Sequence, residues 1–449
     1  MTREKAQTPL SMRHILHTWW PLAASWLLMA AENPATNAVV ARLSDPEINL
    51  AAWGGIVIPI ALIVEAPIIM LLSASTALSK DWDSHFRLRR FMMRTGALLT
   101  ALHLLIAATP LYYIVTVNLI GAPAKIIEPA RWGLVIMTPW TWAIAYRRFN
   151  QGLLIRFGHS RAVGTGTLVR LGADGAVLAI GYLVNKGAAL SIFGGPVSGI
   201  IVASAAITTG VVCEAIYAEL RARPVRCTQL RQAPPAEQPL TFHSFLEFYT
   251  PLAMTSLLSM VVQPIGSAAL SRMPNAISSL AAWSVVSGFL FLLRSLGFAY
   301  NEVTITLLDE PRALHKLQRF ATFLTILTTA LLLVVVATPL APFWFERVSA
   351  LKPQLAAMAR RGLWVALLMP GLTVLQKWYQ GIVVHSRRTR GITEAVIIFL
   401  FVDSLILWLG VIWGQVNGMY VGLAAFGMGM LAQTIWLRRR SRPAIRALQ

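Results

Sequence analysis

Residues 50–78 read LAAWGGIVIPIALIVEAPIIMLLSASTAL, with a single charge, Glu65, in the whole run. About 20 apolar residues are enough to cross the hydrocarbon core of a bilayer. Further on, Ala321 to Phe345 carries no charge at all. Over the full 449 residues, 56% are hydrophobic and 13% charged, against about 25% charged in an ordinary soluble domain. So little polar surface cannot cover so much apolar mass, and that mass must face lipid. Backbone groups in lipid have to be paired internally, and these runs exceed what a barrel strand needs, so the spanning elements are helices.

Working outward from this run, twelve spans are expected, at 14–42, 48–79, 91–117, 128–154, 162–185, 195–221, 243–271, 277–306, 313–344, 354–384, 391–413 and 417–437. Lys and Arg collect in cytoplasmic loops. With the N-terminus placed inside, the inner segments hold 27 Lys and Arg and the outer segments 9, while Arg170, Arg294 and Lys377 fall within spans. That asymmetry supports the count and an orientation with both termini cytoplasmic. The formal charge of +20 is dispersed in clusters too short to track a phosphate backbone, so nucleic acid is not an expected partner. Arg147 to Arg161 and Arg387 to Arg390 are read as topology determinants.

The opening run has an echo. Leu50-Ala51-Ala52-Trp53 matches Leu280-Ala281-Ala282-Trp283 at an offset of 230, as Pro21-Leu22-Ala23 matches Pro251-Leu252-Ala253 and Pro34 matches Pro264. At an offset of 229, Phe91 matches Phe320, Gln151-Gly152 matches Gln380-Gly381, and Asp174 matches Asp403. A nearly constant offset over so long a stretch marks an internal repeat. It divides the chain into an N-terminal six-helix bundle (1–222), a cytoplasmic linker (223–242) carrying Pro224, Pro234, Pro235 and Pro239, and a C-terminal six-helix bundle with a short basic tail (243–449). An even number of helices per half makes the halves parallel, related by a pseudo-two-fold axis along the membrane normal. The expected fold is therefore an all-α polytopic membrane protein. Two such bundles facing each other enclose a cavity that rocking opens alternately to each side, which points to transport.

His17-Thr18-Trp19-Trp20-Pro21-Leu22, Tyr146-Arg147-Arg148-Phe149-Asn150-Gln151-Gly152-Leu153-Leu154-Ile155-Arg156 and the echo Trp378-Tyr379-Gln380-Gly381-Ile382-Val383-Val384 resemble the multidrug/oligosaccharidyl-lipid/polysaccharide exporter superfamily, which includes the MATE transporters. More narrowly, they are similar to bacterial relatives of the progressive ankylosis protein. The resemblance implies a MATE-like secondary active exporter, an antiporter working by alternating access in a bacterial inner membrane, with H⁺ or Na⁺ as coupling ion and no cofactor. It further implies a small organic molecule or anion as substrate, the class associated with the progressive ankylosis protein. A flippase for a lipid or lipid-linked saccharide is the alternative within the superfamily. A non-transport membrane protein is the alternative outside it. MATE members often use an acid in the first helix; Glu32 lies there, though Ala31-Glu32-Asn33-Pro34 does not match a MATE motif residue by residue. A monomer is expected.

Ionisable groups inside spans are costly and tend to face a cavity or a partner. Glu32, with Asn33 and the carbonyls freed by Pro34, could hold a cation or proton; the plainer reading is a proline kink with its acid facing water. Pro264 is the matching kink. Glu65 could carry a proton or simply bond a neighbouring helix. Arg170 and Asp174, four residues apart, share a helix face and are either an ion pair or a charge site on the cavity wall. Asp403 has Phe399 in place of that arginine and needs a partner elsewhere. Arg294 could hold an anion, since guanidinium stays charged when buried, or could pair with Asp403 or Glu302. Glu302 is either an inner gate or solvated. No P-loop, metal-ligand cluster or nucleophile motif occurs, so neither a catalytic residue nor a metal is expected.

Overall fold

A computed structural model describes residues 10–186, 197–235, 240–311, 313–386 and 390–448. Linker residues 236–239, with Pro239, lie outside the described residues, as do Arg3, Lys5, Arg312, Arg387 and Arg388, which entered the orientation count. The described elements are helical, with no strand among them. In chain order the long ones are α1 (Met12–Ala30, resumed as Glu32–Val40), α2 (Pro46–Leu78), α3 (Trp82–Ala108), α4 (Ala124–Ile136, resumed as Thr138–Arg156), α5 (Ser160–Asn185) and α6 (Gly199–Leu230). Then come α7 (Phe242–Ser271), α8 (Ala276–Leu307), α9 (Ala313–Ala337), α10 (Pro353–Val365, resumed as Met369–His385), α11 (Arg390–Trp413) and α12 (Gly418–Ala447). Among the described residues nine helices are long and apolar enough to cross a membrane, and α10, bent by 42° at its break, makes a tenth. The broken α1 and α4, which coincide with the other two expected spans, are not among those ten.

The breaks follow from the chain's chemistry. Proline removes a backbone donor and crowds the carbonyl four residues earlier. Accordingly α1 breaks at Ala31, three residues before Pro34, and α7 breaks at Val261, three residues before Pro264.

The repeat is written into backbone geometry as well as sequence. Asp45 (φ 46°) and Asn275 (φ 54°) both adopt the left-handed conformation, and so do Gly121 (φ 71°) and Ala350 (φ 52°). Thr109 and Thr338 each bond back one turn, to Leu105 O and Val334 O, at 2.7 Å. A Cβ on Gly152 would lie 2.6 Å from the Ser75 Cβ, and one on Gly381 would lie 2.7 Å from the Thr304 Cβ. Those close approaches are why glycine stands at both places, since an added methyl has no room.

By packing, the chain forms two compact units: Met1–Ala35 with Val285–Gln449, and Thr36–Ser284. These bounds differ from the sequence division at 223–242, because the first helix of each repeat packs with the other repeat's helices. In the first unit the Trp19 indole N–H donates to Leu296 O at 3.0 Å, and its ring meets Phe320 edge-on at 5.8 Å. Leu10, Ile15, Trp19 and Ala23 of this segment join Tyr300, Phe320 and Trp378 in one buried core. In the second unit the equivalent residue, Tyr249, donates its hydroxyl to Pro67 O and packs on Phe91 at 5.3 Å. An aromatic side chain with an N–H or O–H at its tip can bury its ring and still satisfy its polar end. Both docking contacts use that property, at matching positions.

Candidate functional site

The Thr36–Ser284 unit holds a buried charge cluster built from four helices. Arg147 and Gln151 lie one turn apart on α4, so both reach the same neighbour. That neighbour is Glu214 on α6. Arg147 Nη1 donates to its Oε2, and Gln151 Nε2 donates to its Oε1 at 2.9 Å. Arg170 on α5 lies with Nη1 4.0 Å from the same Oε2 and Nε 3.9 Å from Asp174 Oδ2. Asp174 fits against Gly210 on α6, where a Cβ would overlap its carboxylate. Glu65 on α2 is buried, one of its carboxyl oxygens has no hydrogen-bond partner, and the charges acting on it are those of Arg148, Arg147 and Arg170. Three arginines, Arg147, Arg148 and Arg170, therefore lie among three acids, Glu65, Asp174 and Glu214, with Glu214 ion-paired to Arg147 and Arg170, and Asp174 to Arg170. Arg147, expected to be a topology determinant in a loop, is instead buried within α4 and ion-paired. The signal available in the sequence was Glu214, the single charge in residues 199–218.

The other unit holds the equivalent positions with different chemistry. At the offset of 229, Glu65 corresponds to Arg294, Arg147 to Gln376, Arg148 to Lys377, Gln151 to Gln380 and Asp174 to Asp403. The acid of α2 has become a cation on α8. Arg294 Nε donates to Thr373 Oγ1 at 2.9 Å, and its guanidinium lies over Phe426 (5.0 Å) and Phe298 (5.6 Å). Lys377 Nζ donates to Gln380 Oε1 at 3.0 Å and lies 5.7 Å from the Phe298 ring. Both are partly buried, and among the described residues neither has a carboxylate at ion-pair distance. Arg294 thus pairs with neither Asp403 nor Glu302. Lys377 is influenced by the charges of Arg294 and Glu302. Its match with Arg148 at the repeat offset is the signal the sequence carries for it.

Asp403 on α11 is 2% exposed, and its Oδ2 has no hydrogen-bond partner. Glu302 is exposed. Glu32 is buried at the start of the resumed segment of α1, where a carboxylate meets the helix's positive end. Asn33 and Pro34 beside it are partly buried. One turn further, Asn37 exchanges hydrogen bonds with Ser284, Nδ2 to the carbonyl at 2.9 Å and Oδ1 from the hydroxyl at 3.1 Å. Among the described residues no three His, Cys, Asp or Glu side chains cluster as metal ligands.

The two aspartates should separate experimentally. Asp174→Asn removes the charge facing Arg170 and is expected to lower stability by about 1–3 kcal/mol. Asp403→Asn breaks no ion pair and is expected to change it by less than about 1 kcal/mol. Equilibrium unfolding in mixed micelles measures both. Transport lost in Asp403→Asn at unchanged stability would place that carboxyl in the transport cycle.

No family model and no curated protein matches the sequence. Solved structures do match. The chain is similar to a multidrug resistance MATE family transporter of the MOP superfamily in its inward-facing conformation, at 15% identity and TM-score 0.66, over 95% of this chain and 98% of that one. It is similar to the lipid II flippase MurJ in an inward closed conformation, at 15% identity and TM-score 0.66, over 95% and 91%. A MOP superfamily transporter from Pyrococcus furiosus, described as having a binding pocket of reverse polarity, matches at 16% identity and TM-score 0.59, over 100% and 99%. The chain is an all-α polytopic membrane protein with the fold of the MATE and MOP superfamily transporters.

Proposed function

We propose that the protein is a secondary active exporter of small organic anions, working by alternating access in a bacterial inner membrane with both termini cytoplasmic. The observation that carries the anionic class is the cationic pair Arg294 and Lys377, partly exposed within apolar helices and, among the described residues, with no carboxylate at ion-pair distance. Charges within membrane spans rarely face lipid, so these two belong beside water or cargo. Arg294 offers further N–H donors beyond the one given to Thr373, and Phe298 and Phe426 hold its plane. That is the arrangement that receives a carboxylate or phosphate. The carboxyls Glu32, Glu65 and Asp403 are the groups available for H⁺ or Na⁺ coupling. The fold is shared with MATE transporters in both inward-facing and outward-facing conformations, which supports alternating access. No catalytic step is assigned, and a monomer suffices for the cycle.

A second reading has its own support. The likeness to a lipid II flippase is as strong as that to a multidrug transporter, which supports a flippase for a lipid or lipid-linked saccharide. One panel separates them. Proteoliposomes carrying imposed H⁺ or Na⁺ gradients are offered di- and tricarboxylates, phosphate esters, organic cations and a fluorescent lipid. Gradient-driven movement of the water-soluble anions is the expected result. Movement of cations alone, or of lipid alone, would overturn the exporter of anions.

A further inference from the structure

We propose that the cytoplasmic end of α3, together with the start of α7, forms a binding site for one anionic phospholipid. A cavity of about 600 Å³ lies there, lined by Arg87, Arg90 and Arg94 with Phe91, Leu98 and Phe245. The spacing along α3 brings the three arginines onto one helix face. All three are exposed, and among the described residues none has a carboxylate at ion-pair distance. Arg87 is tethered from across the cavity, its Nη1 donating to Leu240 O at 2.7 Å. Arg90 and Arg94 line the same cavity and are exposed.

The walls decide between a lipid and a free anion. A soluble phosphate needs the arginines and nothing else. Here Leu98 and Phe242, each 69% exposed, sit at the rim, and the α3 stripe continues through Leu102 and Leu105, also exposed. Charge at one end of a helix face and an exposed apolar track along the rest match a phosphodiester head with its acyl chains. Basic pockets between helices on the cytoplasmic side bind such heads. The site is separate from Arg294 and Lys377 and holds whatever the cargo is.

The test is lipid binding to purified protein in detergent, read by native mass spectrometry and by the thermal midpoint. The probes are phosphatidylglycerol, phosphatidylcholine with the same chains, and glycerol 3-phosphate. Wild type is expected to retain phosphatidylglycerol in preference to phosphatidylcholine and to gain nothing from glycerol 3-phosphate. Arg87→Gln/Arg90→Gln/Arg94→Gln together should weaken phosphatidylglycerol on the order of a hundredfold, at about fivefold per arginine. The triple Lys variant keeps the charge and should lose far less. Should the triple Gln variant not assemble, Arg90→Gln alone, at a side chain making no hydrogen bond within the described protein, should still show about the fivefold loss. Unchanged phosphatidylglycerol binding in the Gln variants would overturn the proposal, as would glycerol 3-phosphate stabilising wild type as well as the lipid does.

Discussion

Glu214→Ala is expected to destabilise the Thr36–Ser284 unit by about 3–5 kcal/mol, the effect of leaving a buried guanidinium without its partner. Arg147 and Gln151 both donate to Glu214, and Arg170 stands within 4.0 Å of it. Deleting that carboxylate leaves the buried Arg147 guanidinium without its ion-pair partner. The paired change Arg147→Met/Glu214→Leu removes the charge and its counter-charge together, so it should recover much of the loss. The coupling between the two positions, measured as a double-mutant cycle by unfolding in mixed micelles, should reach about 2 kcal/mol or more. Gln376, the residue at Arg147's place in the other repeat, provides the contrast. It bonds Met430 O and Gln433 Oε1 at 3.0 Å, so Gln376→Ala should cost only about 1–3 kcal/mol. Equal effects at Glu214 and Gln376 would mean that the charge cluster contributes nothing beyond ordinary hydrogen bonding.

The helices were legible because hydropathy is a local property, and their breaks were legible because proline acts on its own turn. The repeat was legible because Pro34 and Pro264, or Asp174 and Asp403, recur at nearly one offset. Exchange of the first helices was not. It depends on Trp19 meeting Phe320 and Tyr249 meeting Phe91, contacts between residues far apart in the chain that no periodicity encodes. Arg147 was misread for a related reason. It stands next to Arg148 in a stretch that also holds Arg156 and Arg161, and a run of cations near the end of a span looks like a loop. Only the tertiary contact with Glu214 shows the first of them turned inward. Arg170 and Asp174 were legible as neighbours because four residues on a helix fix their face. Their third partner, Glu214, had to be seen in space.

Arg294→Ala is expected to abolish gradient-driven anion transport, lowering kcat/KM by about a hundredfold or more, as removal of one member of a buried charge-assisted contact does. Arg294→Lys should keep partial activity, since charge survives while the two-pronged geometry does not. Lys377→Ala should weaken transport less, because its ammonium is a point charge already given to Gln380 at 3.0 Å. The sharpest variant uses the repeat itself. Arg294→Glu places on α8 the acid that Glu65 places on α2, with Lys377 nearby. Like-charge contact with an anionic cargo costs several kcal/mol, so this variant should lose anions altogether and gain access for cations in the same proteoliposome panel. Folding is checked independently, by the unfolding midpoint of each variant. Anion transport that persists in both Arg294→Ala and Arg294→Glu, in protein of normal stability, would remove this face of α8 from substrate recognition and leave its aromatic stacking as a packing contact alone.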